Sequence, residues 1–216
     1  MKKAKICIGV CLMLSAACVS DDIVAVSVYL FAALLHEIGH LLAARIMKIR
    51  VSGIKFDFSG ARICTSGNLS YKEELFLSGA GPLANIFAFT LVIKAAKIRE
   101  IPAKSLLEGA ESLFSRGEAT LCGVLGFFAL SSLLQAASNL MPISGFDGGR
   151  MLYCICALIF GDRAAEVVLS ITSAIFAFIL WTAALYLLLR ISAGLGIYIF
   201  ALGIFTSSIM KKDERV

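Results

Sequence analysis

The chain has 216 residues, 59% of them hydrophobic and 16% charged, with a mean hydropathy of +0.90 and a formal net charge of +5. That leaves too little polar surface to cover a water-soluble globule, and it points to a single membrane-embedded domain over residues 1–216. The positive charge is the ordinary juxtamembrane excess of Lys and Arg, so no nucleic acid is expected as a partner.

In chain order, the first apolar run is Ile6 to Val19, and "MKKAKICIGVCLMLSAAC" around it also fits a cleavable signal peptide. A second span is expected from Ile23 to Met47. The next segment, "RVSGIKFDFSGARI" from Arg50 to Ile63, alternates around Ile54, Phe56 and Phe58 and reads as a membrane-associated β-hairpin. A third span runs from Leu75 to Ile93. Gly81, Pro82 and Asn85 fall at its start, where proline is tolerated in the first helical turn. Gly79 and Gly81 there suggest close helix packing, with a direct catalytic role for this group as the alternative; Asn85 is a polar group in need of a partner.

Lys94 to Glu118 mixes Lys, Arg and Glu with Leu and Ala, the pattern of a loop carrying an interfacial helix. Ala119 to Phe160 is too long for one straight helix and is broken by "NLMPISGFDGG", so it reads as one interrupted span or as two. Ala165 to Leu189 and Ile191 to Met210 complete about six transmembrane helices. The expected fold class is therefore an all-α polytopic membrane protein with a β-hairpin and one interrupted helix. Placing both termini on the cytoplasmic side of a bacterial-type membrane puts most Lys and Arg there as well. The 7 cysteines form no C-x-x-C pair and read as packing residues.

Within the second span, "HEIGH" places His36 and His40 four residues apart, on one helix face, where two imidazoles can share a metal ion. Glu37 lies beside them, in the arrangement of a general base next to a metal site. These are the only 2 histidines in the chain, and ionisable groups at membrane depth are costly unless they are paired or line a cavity. A catalytic zinc takes three protein ligands and keeps one position open. Asp147, in the broken stretch, is the one carboxylate set in an apolar region far from the histidines in sequence, and is the expected third ligand. Pro142, Gly145, Gly148 and Gly149 interrupt the helix around it, and irregular backbone at that depth belongs where it lines a cavity or is buried in protein. A plain helix N-cap is the structural alternative for Asp147.

With these residues in place, the chain resembles the site-2 protease family of intramembrane zinc metalloproteases. "HEIGH", "GAGPLAN" (Gly79 to Asn85) and "NLMPISGFDGG" match three motifs of that family in order, over a core of about residues 23–160. The resemblance implies one zinc ion per chain held by His36, His40 and Asp147, with Glu37 as the catalytic base. It also implies that Asn139, and with less support Asn85, contacts substrate or the developing oxyanion. Ser144, Gly145 and Phe146 depart from the commoner family pattern. With the metal motif in the second helix and no PDZ or periplasmic domain recognised, the chain is most similar to the minimal sporulation-type branch that releases a pro-sigma factor, although it shows no CBS domain of the kind that some members of that branch carry.

The implied substrate is a membrane-tethered protein, cut near the cytoplasmic side, with a membrane regulatory partner in addition. A helical substrate hides its carbonyls, so it must be unwound, and a strand edge at Ile54, Phe56 and Phe58 could hold it by backbone pairing; a hairpin that only packs on the core is the alternative. Two other functions fit part of the pattern: a metal-ion transporter using the same three ligands, and a non-proteolytic scaffold that retains the motif.

Overall fold

Helix α1 (Ile23–Ile46) turns its small and ionisable residues inward and its large apolar residues outward. Ala25, Ala32, His36, His40, Ala43 and Ala44 are buried, whereas Leu30, Phe31, Leu34, Ile38 and Leu42 are exposed. This is the reverse of a water-soluble helix and the pattern of one packed among neighbours in lipid, where small residues let backbones approach. The computed structural model describes residues 23–49, 51–57, 60–65 and 69–191. The expected first span, its signal-peptide alternative, nearly all of the expected last span and Phe58 lie outside the described residues.

Strands β1 (Val51–Asp57) and β2 (Gly60–Thr65) pair antiparallel, with Ile54 opposite Ile63, Phe56 opposite Ala61, and an irregular register between Val51 and Gly53. Helix α2 (Tyr71–Ile98) follows. Its start is set by a capping box: the Ser70 hydroxyl accepts from the Glu73 N–H at 3.3 Å, and the Glu73 carboxylate accepts from the Ser70 N–H at 2.8 Å. The helix thus begins well before Leu75, and Pro82 lies inside it rather than in its first turn, correcting the expected position. Pro82 has no N–H to offer the Ser78 carbonyl, so the α2 ladder is interrupted there.

Helix α3 (Ala103–Arg116) buries Leu106, Ala110 and Leu113 and ends on Gly117 in the left-handed conformation, φ 69°. It lies against α4 (Leu121–Asn139) at backbone contact. A Cβ on Gly126 would meet the Leu106 carbonyl oxygen at 2.0 Å, and one on Gly109 would meet the Gly123 nitrogen at 2.8 Å. Residues 140–146 are not helical, after which α5 (Asp147–Phe160) and α6 (Asp162–Ile191) complete the described chain.

Helix α2 is the hub: α1, α4 and α5 all pack on it, α1 also packs on α4, and α6 packs on α5. Its inward face carries Ser78, Gly81, Asn85, Ala88, Val92 and Ala96 at steps of three or four residues. Among the described residues, α1, α2, α4 and α6 are long and apolar enough to cross a membrane, four where about six were expected over the whole chain. The 14 residues of α5 reach only about 21 Å, short of the hydrocarbon layer.

The glycine contacts make a graded prediction. Gly126→Ala is expected to destabilise the protein by about 1–3 kcal/mol, because backbone rather than a movable side chain opposes the new methyl group. Gly79→Ala, whose nearest neighbour would be a Met151 methyl at 3.7 Å, is expected to be neutral or slightly stabilising. Thermal unfolding of the two variants in one detergent compares them directly.

Candidate metal centre

His36 and His40, one turn apart on α1, direct their Nε2 atoms to the same point, 3.2 Å from each other. Asp147 completes a triangle: its Oδ2 is 3.0 Å from His36 Nε2 and 3.2 Å from His40 Nε2. The imidazoles meet nearly at right angles, with an interplanar angle of 83°. A tetrahedral ion with metal–ligand bonds near 2.0–2.1 Å holds its donors about 3.3 Å apart, so the triangle is close to one face of such a site. The histidines are buried and the Asp147 side chain is 12% exposed.

The hydrogen bonds of His40 show why a cation belongs there. Its Nδ1 lies 2.8 Å from the Leu77 carbonyl oxygen, which can only accept, so Nδ1 carries a proton and, in the neutral ring, Nε2 presents a lone pair. That lone pair faces a carboxylate oxygen across 3.2 Å. Two acceptors at that separation repel unless a proton or a metal ion lies between them. Gly81, on the facing side of α2, provides the room: a Cβ built there would lie 2.3 Å from His40 Nε2 and 2.6 Å from His36 Nε2. Those separations are near metal–ligand bond lengths, so the missing side chain leaves the volume an ion requires. The donor chemistry, spacing and empty volume together fit a divalent transition metal, and among the described residues His36, His40 and Asp147 are the group that could hold one.

Local structure aims Asp147 at this point. It is the first residue of α5, and Phe146 is the N-cap, without a side-chain cap bond. Asp147 is therefore not the N-cap, and its carboxylate is free to face the histidines at the positive end of the helix dipole. The preceding loop is compressed against the helix start. A Cβ on Gly148 would lie 2.1 Å from the Leu140 carbonyl oxygen, and one on Gly149 2.1 Å from that of Ile143, while Gly145 holds φ 105°. Helix α6 supports the loop from behind: Ser173 Oγ accepts from the Ser144 N–H at 2.8 Å, and Ala177 packs with Ile143 and Phe146.

The remaining expected site residues are distributed unevenly. Glu37 is half-buried and within electrostatic range of His36, His40, Asp147 and Arg150. Asn85 is fully buried, with Nδ2 3.4 Å from His36 Nδ1 and 3.3 Å from Gln135 Oε1. Asn139 is half-buried at the end of α4, and its amide donates to the Gln135 carbonyl at 3.1 Å. Ile54 and Phe56 lie on β1, away from the three donors in sequence and on a separate element. The G-x-x-x-N spacing places Gly81 and Asn85 on one face of α2, and that face meets the two histidines; of the two glycines expected to pack closely, Gly81 faces α1 directly and Gly79 meets only Met151, while Gly39 adds a second close approach, its added Cβ lying 2.7 Å from the Ala80 carbonyl oxygen. Gln135 was missed in the sequence. Its signal was a lone long amide in an apolar helix, a group that must find partners inside the protein.

A search of solved structures finds the site-2 protease from Methanocaldococcus jannaschii at a TM-score of 0.56 and 20% sequence identity, covering 97% of this chain and 87% of that one. No protein-family model and no curated protein matches the chain. The protein is a polytopic membrane protein with a buried histidine–histidine–carboxylate donor set. Its fold is that of a site-2 protease.

Gly81→Ala is expected to abolish metal binding while Gly79→Ala preserves it, because only the first methyl group would occupy the ion's volume. Metal content of the purified variants, after exposure to excess zinc and removal of unbound ion, measures the difference.

Proposed function

We propose that the protein is an intramembrane zinc-dependent endopeptidase that cuts a membrane-tethered protein near the cytoplasmic side. The observation that carries this reading is the convergence of His36, His40 and Asp147 in a buried triangle with Glu37 between the two histidines on the same turn, within a fold shared with a site-2 protease.

When bound, zinc would polarise the scissile carbonyl and make a neighbouring water more acidic. His36 and His40 supply neutral nitrogen donors, and Asp147 supplies the anionic donor. Glu37 follows His36 directly and takes the proton from the attacking water, then returns it to the leaving amine. Asn139, at the end of α4, is the candidate to contact substrate or the oxyanion once its amide leaves the Gln135 carbonyl. Ile54 and Phe56 lie on a strand of a two-stranded sheet, whose unpaired edge is suited to receive an unwound substrate. The substrate class is a single membrane-tethered segment, and a pro-sigma factor is the candidate that the motif resemblance supplies. A separate membrane regulatory partner belongs to the same proposal.

Glu37→Gln is expected to abolish cleavage of a co-expressed tagged substrate while retaining one zinc per chain. Asp147→Asn is expected to lose both cleavage and most zinc. A transporter would respond differently, with zinc flux into vesicles surviving Glu37→Gln. Cleavage that persists in the Glu37→Gln variant would remove the assigned base from the mechanism.

A further inference from the structure

The hydrogen bonds beyond His36 form a directed string, and its direction can be worked out from the two ends. At one end, the Tyr29 carbonyl oxygen can only accept, so the Gln135 amide turns Nε2 toward it, at 3.1 Å. The other amide atom, Oε1, then faces Asn85 and must receive a donor, which is Nδ2 at 3.3 Å. The same Nδ2 faces His36 Nδ1 at 3.4 Å, which leaves that ring nitrogen as an acceptor. A neutral imidazole with an accepting Nδ1 carries its proton on Nε2. At the other end of the string, that proton meets the Asp147 carboxylate at 3.0 Å and the lone pair of His40 Nε2 at 3.2 Å.

The bonds in this string agree in direction, but that direction is wrong for a metal ligand. His36 can bind an ion through Nε2 only if its proton is on Nδ1. An Nδ1–H then opposes the Asn85 Nδ2 donor. The acceptor it needs is present on the same amide: Asn85 Oδ1 is buried, and it has no hydrogen-bond partner. Asn85 itself is 0% exposed, so that oxygen lies inside the protein, away from bulk solvent.

We propose that Asn85 is the positioning residue that sets the tautomer of His36, and that Gln135 restrains it. Loading the metal requires the Asn85 amide to turn by half a rotation, so that Oδ1 accepts from His36 Nδ1–H. The ring stays neutral: one proton leaves Nε2 for solvent, and solvent returns one to Nδ1 as the amide turns, so the exchange is a tautomer change with no net gain or loss of protons. Turning the amide breaks its bond to Gln135 Oε1, so Gln135 opposes loading and Asn85 enables it. Gln135 is in turn held by the Tyr29 carbonyl on α1, the helix that carries both histidines. The inference rests on the metal-site reading above and adds a control on how readily that site fills.

Opposite signs for two neighbouring residues make the proposal testable. The detergent-solubilised full chain is titrated with zinc against a competing chelator, as wild type, Asn85→Leu, Gln135→Met and the double variant. Asn85→Leu is expected to weaken zinc binding about tenfold or more, the usual effect of losing a histidine's outer partner. Gln135→Met is expected to tighten it several-fold, which loss of a merely structural amide would not do. The double variant is expected to bind no more tightly than Asn85→Leu, because Gln135 acts through Asn85.

With only 2 histidines in the chain, imidazole ¹⁵N spectra give a second readout in the wild type alone. His36 should carry its proton on Nε2 without zinc and on Nδ1 with it. The inference is overturned if His36 already carries the proton on Nδ1 before zinc is added, or if Gln135→Met binds zinc no more tightly than wild type. Should Asn85→Leu not fold, the wild-type spectra and Gln135→Met still decide. A wild type that binds no zinc overturns the metal-site reading itself, and this inference with it.

Discussion

Three ionisable side chains placed among apolar helices have to find each other, and the triangle of His36, His40 and Asp147 is where they do. An unpaired carboxylate or imidazolium at membrane depth costs several kcal/mol. That penalty is removed only when α1 and the start of α5 are brought to the same point, although they lie more than a hundred residues apart in sequence. The orientation of α2 follows from the same requirement. It must present Leu77 O to one histidine, Asn85 to the other, and a glycine to the space between them.

The interior around this triangle is built from small residues. Alanines line α1 and α2, while Ser78, Ser131 and Ser132 are buried within α2 and α4. Large apolar side chains face outward, where hydrocarbon solvates them as well as a protein core would. Helix association in that setting relies on close backbone approach and internal polar contacts. The result is a core in which single methyl groups matter at some glycines and not at others. Gly126 and Gly39 face backbone, Gly81 faces imidazole nitrogens, and Gly79 faces only a flexible methionine.

Much of the site could be read in the sequence, because the chemistry is concentrated in residues that are rare in apolar segments. Two histidines at helical spacing, and one aspartate in a glycine-broken stretch, are conspicuous among 59% hydrophobic residues. Helix boundaries were less legible. Pro82 suggested a helix start, but Ser70 and Glu73 form a capping box that starts α2 earlier, and the packed helix tolerates the proline. A capping box outweighs a proline as a start signal because it satisfies two backbone donors. Gln135 could not be assigned from sequence, since its partners, Asn85 and Tyr29, lie on two other helices.

The glycine contacts at residues 148 and 149 also brace the third donor. Their backbone lies against the carbonyls of Leu140 and Ile143, and α6 holds the same loop through Ser173 and Ala177. The end of α4, the loop, the start of α5 and α6 are therefore tied together around Asp147. The one donor that comes from outside α1 thus enters the triangle from a backbone packed on both sides, by α4 and the loop in front and by α6 behind.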